Sequence, residues 1–277
     1  MTVLLVMAKA PVPGAVKTRL CPPASHVQAA RIAAAALLDS LDAVRATPGV
    51  TPVLALSGRL TDAEEAAELA AAVAGWQTLP QRGTDLGHRL ANAHADVADA
   101  YPGRPVLQIG MDTPQLTPAQ LDAAVHRLAL TDAVLGPALD GGWWALGLRD
   151  PRHAAVLAAV PMSTALTGHH TTAALREQGL RVDSLPLLQD VDEWADALAV
   201  AASTPGDASA WSIDVTAAGR PGQAAAGLPG QPGQPGQPGQ PGGQEAAHLE
   251  ARPVRHGRRF ARQVATVRRS LTPGIPR

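Results

Sequence analysis

The chain has 277 residues, 46% of them hydrophobic but only 3% aromatic, and a formal net charge of −1 at pH 7. That balance hides an asymmetry: nine Arg/Lys and two Glu from Arg220 onward make that part about +7, and the remainder, with 14 basic and 22 acidic residues, is about −8. An acidic body argues against nucleic acid as the main partner, and the single cysteine, Cys21, excludes an intramolecular disulfide.

The apolar run at Met1–Met7 lacks a basic leader and is too short for a signal h-region or a membrane span. It reads as a first strand, Thr2–Met7, of a cytoplasmic protein with no transmembrane segment. The loop after it, AKAPVPGAVKTRL, carries two prolines, Gly14 and the cations Lys9, Lys17 and Arg19. Backbone turns with fixed positive charge suit a phosphate clamp. The spacing is not that of a Walker A loop. Ser25 to about Ala46 has helical spacing, and Thr51–Leu56 is the next strand. Thr61 or Asp62 caps a helix running through Val73. After a short strand at Trp76–Leu79, QRGTDLGHR opens a helix that reaches about Ala100. Asp85 is either its N-cap or a ligand contact at the helix start.

The most informative stretch is Val106–Leu148. Two apolar runs, Val106–Ile109 and Ala133–Leu135, each end in a turn that carries an aspartate: Gly110-Met111-Asp112-Thr113-Pro114 and Asp140-Gly141-Gly142. Between them Thr117-Pro118-Ala119-Gln120 has the residues of a capping box, with Pro at the first helical position. Short continuous apolar runs are the mark of buried strands. In open α/β sheets ligands bind beyond the carboxyl ends of such strands. Asp112 therefore stands where a metal or phosphate would bind.

Trp143–Leu148 reads as a strand and Pro151 starts a helix. Residues 161–170 read as a loop and 171–178 as a helix. Adjacent His169 and His170 lack an i,i+4 partner, so no metal site is assigned there. A strand at Arg181–Pro186 leads to Asp190-Val191-Asp192, a spacing that puts both carboxylates on one side of an extended chain, and then to a short helix ending near Ala202. Arg220–Gly243 contains a Pro-Gly-Gln repeat, too short for collagen and read as linker. The arginine-rich end has Phe260, Val264, Val267 and Leu271 at helical spacing. It reads as a flexible basic tail that could form a helix on an acidic partner or anionic membrane.

Taken together, MAKAPVPGAVKTRL, QRGTDLGHRL, IGMDTPQL, GPALDGGWWALGL and DVDEWADAL occur in an order that resembles one family over about residues 1–200. It is a glycosyltransferase-like family of the nucleotide-diphospho-sugar transferase superfamily, with the GT-A fold, some of whose members are associated with radical-SAM or selenium-related genes. The layout is also similar to 2-phospholactate guanylyltransferase and, more remotely, to the molybdenum-cofactor guanylyltransferases. The chain departs from the family at Met111, where Ser is usual, at Trp143-Trp144, where Tyr-Tyr is usual, and at Glu193-Trp194, where Thr-Pro is usual.

The resemblance implies an α/β, Rossmann-like, mostly parallel sheet with helices on both faces. It implies a nucleotide and its phosphates on Lys9, Gly14, Lys17 and Arg19; Asp85, in its reading as a ligand contact at the helix start, would join that site. Asp112 would hold Mg²⁺ or Mn²⁺, completed by Asp190 or Asp192. Asp140, Gly141 and Gly142 would line the acceptor side, with Lys17, Arg19 and Asp112 catalytic. The expected domains are a transferase over 1–203, a Gly/Pro/Gln-rich linker over 204–251 and a basic flexible tail over 252–277. The expected activity is glycosyl transfer from a nucleotide-diphospho-sugar to a small-molecule acceptor. The alternatives are nucleotidyl transfer with release of pyrophosphate, and a non-catalytic nucleotide-binding protein.

Overall fold

The computed structural model describes residues 1–203 and 257–271, all within one compact unit; the linker expected over 204–251 lies outside them. The first strand, β1 (Thr2–Lys9), is buried along almost its whole length. It alternates between two cores: Leu4, Val6 and Ala8 face one side of the sheet, and Val3, Leu5 and Met7 face the other, as the two-residue period of a strand requires. Such a strand is stable only with helices on both faces, and this chain supplies them.

On one face lie α1 (His26–Ala46), α2 (Ala66–Ala72) and α4 (Pro118–Leu130), which bury Leu37, Leu41, Leu69, Leu121 and Leu128 against the sheet. On the other lie α3 (Leu86–Ala100), a 3₁₀ helix over Pro151–Ala159 and α5 (Thr167–Glu177), contributing Leu90, Val97, Leu157 and Leu175. Capping boxes begin α1, from Ser25 and Gln28, and α4, from Thr117 and Gln120. Each satisfies two backbone N–H groups that the first helical turn cannot.

The other strands are β2 (Val50–Ser57), β3 (Gln77–Pro80), β4 (Val106–Ile109), β5 (Ala133–Pro137), β6 (Trp143–Leu148) and β7 (Val182–Ser184). They form one seven-stranded sheet in the order β3-β2-β1-β4-β6-β5-β7. Pairing is parallel except that β6 runs antiparallel to both β4 and β5. The strand order reverses between β1 and β4, and in open α/β sheets ligands bind beyond the carboxyl ends of the strands at such a point.

Four local expectations change. The helix expected from Thr61 or Asp62 begins only at Ala66, after a 3₁₀ turn at Leu60–Asp62, and the segment after Pro151 is 3₁₀ rather than α. The loop expected over 161–170 stops early, because α5 starts at Thr167, where the Gly168 N–H donates to the Gly141 carbonyl at 2.9 Å. That partner is tertiary, so no cap residue announces it.

The fourth concerns the tail expected to be flexible over 252–277. Within it, α7 (Arg258–Leu271) is a packed helix. Its apolar stripe, Phe260, Val264 and Val267, is 2% exposed or less. It lies against Ile32 and Ala36 of α1 and Ala197 and Val200 of α6 (Trp194–Ala202). Apolar area at helical spacing finds a partner within the same chain, and Arg259 adds ion pairs to Asp39, Asp42 and Glu68. Among the described residues no helix is long and apolar enough to cross a membrane.

Candidate active site

Beyond the carboxyl ends of β1 and β4 lies a cleft of about 760 Å³, within the range of small-molecule sites. Its centre is the turn after β4. Lys17 stands in the left-handed region, φ 47° and ψ 39°, in the loop after β1. Its ammonium donates to Asp112 Oδ2 at 2.9 Å and lies 3.7 Å from Asp192 Oδ1. Burial works against this charge, but the carboxylates of Asp112, Asp192 and Asp190 more than offset it and raise the Lys17 pKa. Arg19 closes the same group by pairing with Asp192. The backbone joins in: the Val191 N–H donates to the Asp112 carbonyl at 3.0 Å, tying the Asp190–Asp192 loop to the β4 turn.

Among the described residues no cation stands at contact distance from Asp190. Burial, and after it the charges of Asp140 and Asp112, raise its pKa to about 6. The cleft wall holds six carboxylates (Asp112, Asp140, Asp190, Asp192, Glu193, Asp196) and three cations (Lys9, Arg19, Arg89), with Lys17 behind them. Its field is therefore negative. Among the described residues no three His, Cys, Asp or Glu side chains converge at metal-ligand spacing.

The other residues singled out in the sequence take distinct positions. Lys9 lines the cleft, but its ammonium donates to the Ala15 carbonyl at 2.8 Å and so shapes the loop. Gly14 is a turn residue, φ +76°, outside the cleft lining. Asp85 is the N-cap of α3: it accepts from the His88 N–H at 2.9 Å and contacts the His88 ring. The same helix reaches the cleft through Leu86 and Arg89 instead.

Asp140 accepts from the Gly142 N–H at 2.7 Å, and both line the cleft. Gly141, at φ +85°, lies so close to the Ala165 carbonyl that any Cβ would overlap it. This turn seats the start of α5 against the cleft wall.

Several lining residues are not evident from motif reading. Gln81 donates to the carbonyls of Ala8 at 2.8 Å and Ala55 at 2.9 Å, stitching the ends of β1 and β2 beside the cleft. Arg89, four residues after Asp85, has its Nε buried with no hydrogen-bond partner among the described residues. It lies in the QRGTDLGHRL motif. Gln108, mid-β4 and 2% exposed, is on the cleft floor. Behind it His94 is fully buried, and burial pushes its pKa down to about 4, so it is neutral. Trp143 forms part of the wall, its indole donating to Thr171 Oγ1 at 3.2 Å. Trp144 is 3% exposed and donates to the Pro186 carbonyl at 3.0 Å.

This seven-stranded, mostly parallel α/β arrangement is the Rossmann-like fold of solved nucleotide-sugar transferase-like structures. The chain is similar to a "putative nucleotide-diphospho-sugar transferase" from Desulfovibrio desulfuricans G20. The two are 26% identical, with a TM-score of 0.66, over 75% of this chain and 90% of that one. It is more distantly similar to Rv0371c of Mycobacterium tuberculosis H37Rv in complex with manganese, with 20% identity, 72% and 98% coverage and a TM-score of 0.44. A similar match is CMP:2-keto-3-deoxy-manno-octonic acid synthetase complexed with CTP, with 10% identity, 72% and 96% coverage and a TM-score of 0.45. By sequence, residues 40–164 match the family described as "Uncharacterized protein conserved in bacteria (DUF2064)". No curated protein matches the chain.

Proposed function

We propose that the chain is a metal-dependent transferase that uses a nucleotide donor, a nucleotide-diphospho-sugar, and passes the sugar to a small-molecule acceptor. The observation that carries this is the acidic cleft at the β1/β4 switch, lined by Asp112 and Asp190 with Lys17 behind them. A diphosphate cannot settle among six carboxylates unless a cation accompanies it. The donor set is oxygen only, which suits Mg²⁺ or Mn²⁺. Magnesium is usually held by one or two carboxylates together with substrate phosphates, not by an all-protein cage. Asp112 would hold the cation together with Asp190, or with Asp192 once Arg19 releases it. When bound, the cation would neutralise charge on the diphosphate leaving group.

The chain's own residues do the rest. Lys17 holds Asp112 in place and keeps a positive charge beside the leaving oxygens, where fixed charge stabilises the transition state. Arg19, largely exposed, is free to swing from Asp192 to a phosphate. Asp140 and Gly142, with Trp143 next in sequence, also line the cleft and would take the acceptor. The likeness to the Desulfovibrio desulfuricans protein supports this reading. So does the use already made of one loop cation: with Lys17 paired to Asp112, the clamp has less charge to spare for a triphosphate than the sequence suggests.

The test is a thermal-shift and calorimetric screen of nucleoside triphosphates and nucleotide-diphospho-sugars, with and without Mn²⁺, on wild type and Asp112→Ala. Ligand stabilisation grows with ligand over Kd. A nucleotide-sugar should stabilise wild type only with Mn²⁺, and the variant, still folded, should lose that effect. Unchanged, metal-independent affinity in Asp112→Ala would make Asp112 a turn residue only. A response confined to triphosphates, with pyrophosphate as product, would replace glycosyl by nucleotidyl transfer.

A further inference from the structure

The apolar stripe of α7 does more than cover α1. The cluster it completes contains Leu20 and Val191, exposed by 0% and 1%. Each belongs to one of the two loops that build the candidate site. Leu20 ends the 3₁₀ turn Thr18–Leu20, directly after Lys17 and including Arg19. Its own N–H donates to the Lys17 carbonyl at 3.0 Å. Val191 stands between Asp190 and Asp192, and its N–H holds the Asp112 carbonyl. The side chains of Leu20 and Val191 thus point away from the cleft into the cluster with Phe260, Val264 and Val267, while their neighbours face the cleft. Short loops of this kind draw little rigidity from their own hydrogen bonds, so the apolar anchor behind them sets their position.

We propose that α7 is a positioning element for the site: a helix from the far end of the sequence whose docked apolar face fixes the Lys17–Arg19 turn and the Asp190–Asp192 loop at their mutual spacing. The proposal builds on the donor-binding role given above to these residues. Phe260 and Val264 are positioning residues, acting on Lys17, Arg19 and Asp190 through Leu20 and Val191. Docking is reinforced beside the cluster, where the Phe260 N–H donates to Asp39 at 2.9 Å and Arg259 donates to Glu68 at 3.0 Å.

Full-length protein with Val264→Asp tests this, with Arg262→Asp, on the exposed side of the same helix, as control. Amide hydrogen exchange is read at Val191 and Leu20, with β1 and β4 amides as internal standards. Val264→Asp should speed exchange at Val191 and Leu20 by about tenfold or more while the strand amides keep their protection. Arg262→Asp should change neither. If Val264→Asp unfolds the chain, Val264→Ala should show the same local pattern in weaker form, with Val264→Ile restoring it. The affinity of the donor found above should fall in step. Unchanged exchange at Val191 and Leu20 on loss of α7 packing overturns the proposal. So does a uniform rise that includes β1 and β4, which would make α7 an ordinary part of the core. Exchange needs no ligand, so a failed donor screen leaves this result readable and counts only against the transferase reading.

Discussion

Asp39 offers a sharp test of how α7 is held. It is a carboxylate 3% exposed, accepting the Phe260 N–H at 2.9 Å with Arg259 at 3.6 Å. Burial outweighs these favourable contacts and raises its pKa from 3.8 to about 6. A group with a raised native pKa binds its proton more tightly folded than unfolded. Its stabilisation is complete below about pH 4 and is lost as the pH climbs through 6. Each tenfold in proton affinity is about 1.4 kcal/mol, so the loss is on the order of 3 kcal/mol. Asp39→Asn keeps an acceptor for the Phe260 N–H and never ionises. It should match wild type near pH 4 and exceed it by on the order of 3 kcal/mol near pH 8. Urea unfolding of both proteins from pH 4 to 8 measures this, and the difference between the two curves removes the titration of Asp190 and other groups common to both. Parallel curves, or an Asn variant weaker than wild type at pH 8, would show that the Arg259 ion pair outweighs burial.

Two further outcomes follow from the site. Arg19→Ala removes a charge-assisted contact worth roughly 1.5–3 kcal/mol, so nucleotide Kd measured by calorimetry should rise by roughly one to two orders of magnitude, with nucleosides little affected; equal losses for both would place the effect in folding. Gly141→Ala combines a left-handed backbone cost of roughly 1–2 kcal/mol with overpacking of roughly 1–3 kcal/mol against the Ala165 carbonyl. Urea unfolding should show a loss of roughly 2–5 kcal/mol, and a change under 0.5 kcal/mol would mean that the turn shifts freely.

What the sequence determined by itself is what local chemistry encodes. The mainly apolar runs at Thr2–Met7 and Val106–Ile109 could be read as buried strands because runs of about four to eight residues bounded by turns are too short for a typical helix. Ser25, Asp85 and Thr117 announced the starts of α1, α3 and α4, since a cap serves N–H groups only two or three residues away. Asp112 stood out because a carboxylate one turn beyond a buried strand is at a ligand's address in any open α/β sheet. Asp85 shows the limit: its spacing fitted both a cap and a ligand, and its contacts make it a cap.

Only the tertiary structure decided the pairings made at long range. Lys17 meets Asp112 and Asp192 across 95 and 175 positions of sequence, so that a cation expected to stand open for phosphate instead neutralises carboxylates. The start of α5 depends on a carbonyl of Gly141, and β6 slips antiparallel between β4 and β5. The apolar stripe of α7 was visible in its spacing, but a stripe does not name its partner. That partner is assembled from α1, α6 and two loops whose residues lie far from one another in sequence, and it exists only once the chain has folded.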